Sequence, residues 1–207
     1  MMETFKLYYA STSPYVRKVM VFAHCLGLAE RIEKLESAAH PVIRDERIAR
    51  FNPLAKVPAL QTPEGLALFD SRVICEYLDT LAGGSLFPRD GERRWSSLVR
   101  QALGDGLLDA ALLARYEAVA RPTAKQWDDW TAGQLTKITA VLAEVEHQAD
   151  RLSTQPDDIG VITLGCALGY LDFRFEGLDW RKSHPATATW FAVFDQHPAM
   201  LATRPFV

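Results

Sequence analysis

The sequence predicts two architectures in series: a small α/β layer over residues 1–81 and an all-helical domain over residues 92–207, joined by a linker at 82–91. Three observations carry this. Short runs of β-formers alternate with helical periodicities in the first part. Gly83-Gly84 and Pro88 then interrupt the pattern. Beyond them, apolar residues recur only at helical spacing.

The elements follow in order. Phe5 to Tyr9 is short and rich in β-formers, a strand. Ala10 to Pro14 is a polar loop, after which Tyr15, Val16, Val19, Met20, Phe22 and Ala23 repeat at helical spacing. Ser13 suits the N-cap and Pro14 the first helical position, where an N–H would have no partner. Gly27 is the expected stop. Arg31 to Glu36 gives a second strand, and Pro41 to Phe51 a short helix ended by Asn52-Pro53. A third strand follows Pro58. Gly65 turns the chain into a fourth over Leu66 to Phe69, and a helix from Ser71 closes the unit at Leu81. In the second domain, helices are expected from Glu92 to Tyr116, from near Trp127 to Leu152, and from Asp157 or Asp158 through Tyr170. Pro185 and Pro198 each open a shorter one.

Composition narrows the function. With 48% hydrophobic and 24% charged residues in 207, the chain reads as an ordinary globular protein. A net charge of −3 gives no basis for a nucleic-acid or anionic-membrane partner. No apolar run approaches the roughly 20 residues of a membrane span, and Met1-Met2-Glu3 does not begin a signal peptide. Cys25, Cys75 and Cys166 stand too far apart for a zinc or disulfide pattern, which reads as a reducing cytoplasm. All three are assigned to packing. The five histidines lack metal-ligand spacing, so no metal is expected. Arg17-Lys18 reads as a solvated helix face, with the sheet's edge as the alternative for Arg17, and Trp127 with Trp130 as core or interface.

Chemistry concentrates between Lys56 and Ser71. Pro58 opens a short strand, and a proline in a sheet belongs at a strand start or edge. A cis bond there would let Val57 turn its own N–H and C=O toward an extended peptide. Asp70-Ser71 precedes an apolar helix, whose first N–H groups and partial positive charge suit a carboxylate. A peptide edge and an anion pocket together fit a small acidic peptide.

Several motifs resemble those of the cytosolic glutathione transferase superfamily over essentially the whole chain. They are Ser13-Pro14-Tyr15-Val16-Arg17-Lys18, Phe51-Asn52-Pro53-Leu54-Ala55-Lys56-Val57-Pro58 and Phe69-Asp70-Ser71, then Gly104 to Asp109, Ala120-Arg121-Pro122 and Gly165 to Leu171. The last three look like a bacterial subgroup of glutathione-transferase-like proteins. The resemblance implies a thioredoxin-like first domain, an all-helical second domain and a homodimer. It also implies glutathione as co-substrate with no other cofactor. Val57 would pair with the cysteinyl part of glutathione and Asp70 with Ser71 would hold the γ-glutamyl end. Lys56, together with Lys34 or His40, would face the glycyl carboxylate. Asp105 would approach the γ-glutamyl group across a dimer interface.

Two hydroxyls compete for the thiol. Ser13 stands where plant-type transferases keep a catalytic serine; Ser11 stands where other serine classes keep theirs. Tyr8 and Tyr9 are a third option, though their place in a strand favours packing. No cysteine occupies this loop, so a dithiol mechanism is not expected. Tyr116, Arg121, Tyr170, Arg174 and Phe175 are the candidate acceptor residues. The function this implies is attack of the glutathione thiolate on a small, mostly apolar electrophile, a detoxification chemistry. The alternatives are a non-catalytic glutathione-binding or protein-interaction module, or a glutathione-dependent isomerase or peroxidase. One departure bears on folding: Asp158 can cap the helix that follows, but Val161 stands where the reciprocal capping-box acid would be.

Overall fold

A computed structural model describes residues 4–37, 39–84 and 86–206. Residues 1–3, 38, 85 and 207 lie outside the described residues, Ser85 of the expected linker among them. The chain divides into two compact units, residues 1–87 with 198–207, and residues 88–197. Residues 198–207, expected in the helical domain, group with the first unit.

The first unit is built on β1 (Phe5–Tyr9), which has a neighbour on each side. β2 (Ile32–Glu36) runs parallel to it, with Leu7 opposite Lys34. β3 (Ala59–Gln61) runs antiparallel, with Leu7 opposite Leu60, and β4 (Ala67–Leu68) pairs beyond it, giving the order β2-β1-β3-β4. A parallel pair needs a crossover, and α1 (Pro14–Cys25) supplies it. Phe5, Leu7, Val19, Phe22, Leu60 and Leu78 form the core between the sheet and the packed pair α1 and α3 (Ser71–Ala82).

α1 has the expected ends. Ser13 caps it with Pro14 at the first helical turn, and Gly27 follows at φ +69°. The helix between Pro41 and Phe51 is shorter than expected: α2 covers only Glu46–Ala49. Here side chains win over helical continuity. His40 Nδ1 accepts the Val42 and Ile43 N–H groups, holding a turn, and Asp45 starts the helix by accepting from Arg47 and Ile48. Asp79 fixes the connection after α3, its carboxylate accepting the Leu86 and Phe87 N–H groups at 3.0 and 3.2 Å.

The Arg17-Lys18 reading is corrected. Arg17 is 6% exposed and Lys18 0%. Arg17 Nη2 donates to the Met200 carbonyl at 3.2 Å, at the end of α9 (Pro198–Leu201). A buried guanidinium needs such partners, and this one is 183 residues away, beyond the reach of local pattern.

The second unit contains α4 (Gly91–Val119), α5 (Asp128–Gln148), α6 (Ile159–Arg174), α7 (Trp180–Ser183) and α8 (Pro185–Phe194). α4 and α6 form its main packed pair. Their backbones approach closely: a Cβ at Gly104 would stand 2.9 Å from Thr163 Cγ2; on the α8 side of α6, a Cβ at Gly165 would enter the Phe194 ring. Trp127 and Trp130, expected in core or interface, are exposed in the chain. Cys75 and Cys166 are buried as expected, while Cys25 is half-buried.

The α6 start lacks the reciprocal half of a capping box, and its capping carboxylate is instead held by another helix. Asp158 Oδ1 accepts the Gly160 and Val161 N–H groups at 2.7 and 3.1 Å, and the Ser97 hydroxyl at 2.9 Å. Its Oδ2 lies 3.1 Å from Arg100 Nη2. α8 is capped the same way, by Glu146 of α5, whose carboxylate accepts the Ala186 and Thr187 N–H groups. Burial pulls the Glu146 carboxyl up, but these bonds outweigh it and hold the group below the ordinary 4.5.

Removing Asp158 strips a helix cap and leaves Arg100 without its acid. Asp158→Ala is expected to cost about 2–4 kcal/mol in chemical denaturation, and Asp158→Asn less, since the amide oxygen still accepts. Glu146 gives a pH signature. Its folded value is depressed, so its stabilisation is complete above the ordinary glutamate range and lost as pH falls through the depressed value. Glu146→Gln is expected to flatten that part of the acid-unfolding curve.

Candidate functional site

Three features of the first unit converge on chemistry: the start of α1, the loop entering β3, and the start of α3. The α1 start presents Ser13. Its backbone is extended, φ −82° and ψ 120°, which turns Oγ back over the first turn to accept the Val16 N–H at 3.3 Å. The hydroxyl hydrogen has no acceptor among the described residues. No acidic side chain occupies the first turn, so the positive end of the helix is not neutralised there.

Ser11 differs. Its hydroxyl donates to the Phe206 carbonyl at 3.0 Å. Tyr8 packs on Phe51, centroids 5.3 Å apart, and Tyr9 lies under the Lys34 ammonium at 5.0 Å. Burial raises both phenols above their ordinary value, and Glu36 adds to the effect on Tyr9.

The loop before β3 is held by Asn52, which is 2% exposed. Its amide nitrogen donates to the Lys56 carbonyl at 2.9 Å and its oxygen accepts the Leu54 N–H at 3.0 Å. Ala55, at φ +52°, turns the chain between them. The Val57–Pro58 bond is cis. Strand pairing begins at Ala59, and the Val57 N–H and C=O have no hydrogen-bond partner among the described residues.

α3 begins with Asp70 as N-cap, its Oδ1 accepting the Arg72 N–H at 2.8 Å. The bond before it, Phe69–Asp70, is also cis. Asp70 is exposed and Ser71 is 2% exposed; the Ser71 N–H and hydroxyl have no acceptor among the described residues. An acceptor side chain, a donor hydroxyl and a helix N-terminus therefore adjoin, the set needed for an amino-acid zwitterion.

The remaining candidates divide. Lys56 and Lys34 are exposed. The exposed His40 commits Nδ1 to two backbone N–H groups, leaving Nε2 outward. Asp105 is 1% exposed, facing inward on α4 rather than toward a second copy as expected. Arg121 pairs with Glu117 at 2.8 Å, and Glu117 also accepts the Trp127 N–H; Arg121 is a connector of α4 and α5. Tyr116, Tyr170 and Arg174 form a group that includes Arg115, which sequence reasoning missed. The signal was available: Arg115-Tyr116 ends one apolar helix and Tyr170 with Arg174, four apart, ends another.

The comparisons with known proteins agree with this geometry. The profile "Glutathione S-transferase, N-terminal domain" matches residues 12–81, from the Ser13 loop through α3. The uncharacterized GST-like protein YibF of Escherichia coli K12 is 36% identical over 87% of this chain and 88% of its own length. The chain belongs to the glutathione transferase family. A family member from Pseudomonas fluorescens Pf-5, crystallised with bound glutathione, superposes with a TM-score of 0.93 at 44% identity, covering 99% of this chain and all of that one. A Pf-5 family member with bound S-(propanoic acid)-glutathione gives 0.88 at 43%, covering 98% and all. The fold is therefore the thioredoxin-like domain followed by the helical domain of glutathione transferases. No helix among the described residues is long and apolar enough to cross a membrane, and none of their His, Cys, Asp and Glu side chains cluster to hold a metal.

Asn52 sets the shape of the Lys56–Val57 edge through two bonds made in a buried position. Asn52→Ala is expected to lower stability by about 1–3 kcal/mol. Trypsin cleavage after Lys56 is expected to accelerate in the variant, read as the rate of appearance of the two fragments.

Proposed function

We propose that the protein is a glutathione transferase whose Ser13 hydroxyl stabilises the glutathione thiolate for attack on a small, mostly apolar electrophile. The observation that carries this reading is the unspent hydrogen of Ser13 at the start of α1, beside a Ser11 hydroxyl already donated to Phe206. The thiol gives its proton to solvent. The thiolate accepts a hydrogen bond from Ser13 and lies at the positive end of α1. Its electron pair then forms the S–C bond as the acceptor's leaving group departs with the bonding pair.

Glutathione would lie along Val57, whose free N–H and C=O suit the cysteinyl backbone. Asp70 would take the γ-glutamyl ammonium, and the Ser71 N–H and hydroxyl its carboxylate. Lys56, with Lys34 or His40, would serve the glycyl carboxylate. The glutathione in the Pf-5 relative at 44% identity supports this ligand. Asp105, being buried, has no part in the assignment. The reading includes a cytoplasmic homodimer: three free cysteines suit a reducing compartment, and Trp95 and Val99, each 66% exposed one turn apart on α4, form an apolar patch that a second copy would cover.

A hydrogen bond to a charged group is worth about 1.5–3 kcal/mol. Ser13→Ala is therefore expected to lower the rate with a reactive aryl halide by about 10–100-fold, and to raise the thiol pKa of bound glutathione in a spectroscopic titration. Ser11→Ala is expected to leave both nearly unchanged. The rate of the wild type should rise with pH through the lowered thiol pKa and flatten above it, the inflection moving upward in Ser13→Ala. Tight glutathione binding with no serine effect on pKa or rate would instead indicate the non-catalytic binding module.

A further inference from the structure

Two bonds that are distant in sequence meet at the start of α1. Arg17 Nη2 donates to the Met200 carbonyl at 3.2 Å, and the Ser11 hydroxyl donates to the Phe206 carbonyl at 3.0 Å. Ser11 precedes Arg17 while its partner Phe206 follows Met200, so residues 200–206 pass the start of α1 in the opposite direction. Ser13 lies between the two bonded residues. The segment is itself well held within the first unit. Ala199 and Met200 are buried, α9 packs on α1, and the Thr203 hydroxyl donates back to the Ala199 carbonyl at 2.8 Å.

Arg17 joins this segment to Ser13. Its own N–H donates to the Ser13 carbonyl at 2.9 Å, the first bond of the α1 ladder, and the adjacent Val16 N–H donates to Ser13 Oγ at 3.3 Å. The Ser13 N–H donates to the Ala10 carbonyl at 3.0 Å, closing the turn that enters the helix. Both oxygens of Ser13 are therefore set by the turn that carries Arg17, and the Arg17 side chain fixes that turn to the main chain of α9. The two long-range bonds differ in weight. The Ser11 bond is exposed, and water can replace it. The Arg17 bond is buried, where a planar guanidinium given to one carbonyl holds a single orientation.

We propose that residues 198–206 form a strap on the start of α1, and that Arg17 is the positioning residue through which the strap keeps the Ser13 hydroxyl aimed at the glutathione sulfur. The inference rests on the Ser13 reading of the function and adds what holds that serine. Arg17 acts on the sulfur only through Ser13. A hydrogen bond to a thiolate weakens steeply with distance and angle, so a small rotation of the first turn is enough to lose it.

The test is a pair of double-mutant cycles, Ser13→Ala with Arg17→Met and Ser13→Ala with Arg17→Lys. Three quantities are read: the thiol pKa of bound glutathione by thiolate absorbance, the rate with a reactive aryl halide, and the glutathione affinity by calorimetry. Arg17→Met is expected to lower the rate about 3–10-fold and to raise the thiol pKa, with the affinity within about twofold of wild type because Val57 and Ser71 still hold the tripeptide. Arg17→Lys keeps the charge and a donor on a shorter arm, and should fall between wild type and Arg17→Met. In the Ser13→Ala background neither Arg17 substitution should move the pKa or the rate further. Additive losses overturn the proposal, because the Arg17 charge would then act on the thiolate directly. A wild-type pKa in both Arg17 variants, with or without a loss of affinity, overturns it while leaving the role of Ser13 intact. If Arg17→Met does not fold, the Arg17→Lys cycle decides by the same criteria. Should Ser13→Ala itself shift neither pKa nor rate, the Ser13 reading fails and the strap loses its role with it.

Discussion

The start of an α-helix carries N–H groups that the helix itself cannot pair, and how each start is satisfied organises this molecule. In the helical unit the starts of α6 and α8 are taken by carboxylates, while those of α4 and α5 have no side-chain cap. Asp158 accepts two N–H groups of α6 and is itself held by Ser97 and Arg100 of α4. Glu146 does the same for α8 with both carboxylate oxygens. These side chains tie one helix to the next, so capping and tertiary packing are the same interaction. At the starts of α1 and α3 the caps are lighter. Ser13 accepts one N–H and keeps a hydrogen; Asp70 accepts one N–H, and Ser71 beside it has donors left over. The α6 and α8 caps spend their carboxylates on structure, whereas Ser13 and Ser71 keep donors.

The order of strands puts those light caps where a peptide could use them. β1 is paired on both sides, so its ends fix the neighbouring loops. The loop into α1 leaves from its last residue, and the loop into β3 returns beside it with Asn52 holding the turn. Val57 then stands just before the first paired residue, with its main-chain groups unspent. In the proposed reading, glutathione would use that backbone edge together with the start of α3 in the same unit.

Much of this was legible in the sequence, and the failures have physical causes. Ser13-Pro14, Asp70-Ser71 and Asp158 are local capping patterns, and Pro185 and Pro198 open helices as proline does at a first turn. What local pattern could not carry was distance. The Arg17 partner lies at Met200, so a charge that looks solvated is buried. The Ser11 partner is Phe206, so two serines that look equivalent differ by one spent hydrogen. Asp105 sits on a helix whose close packing depends on Gly104 and Thr163, and it is turned inward. The α2 region fell short of its pattern because His40 and Asp45 offered its N–H groups better acceptors than a longer helix would.

The most direct measurement is a crystal structure of the protein soaked with glutathione. The expected map has the sulfur within hydrogen-bond distance of Ser13 Oγ, the cysteinyl main chain paired to Val57, and the γ-glutamyl carboxylate at the Ser71 N–H. Sulfur density beside Ser11 or Tyr8, or a tripeptide bound away from the starts of α1 and α3, would contradict the assignment.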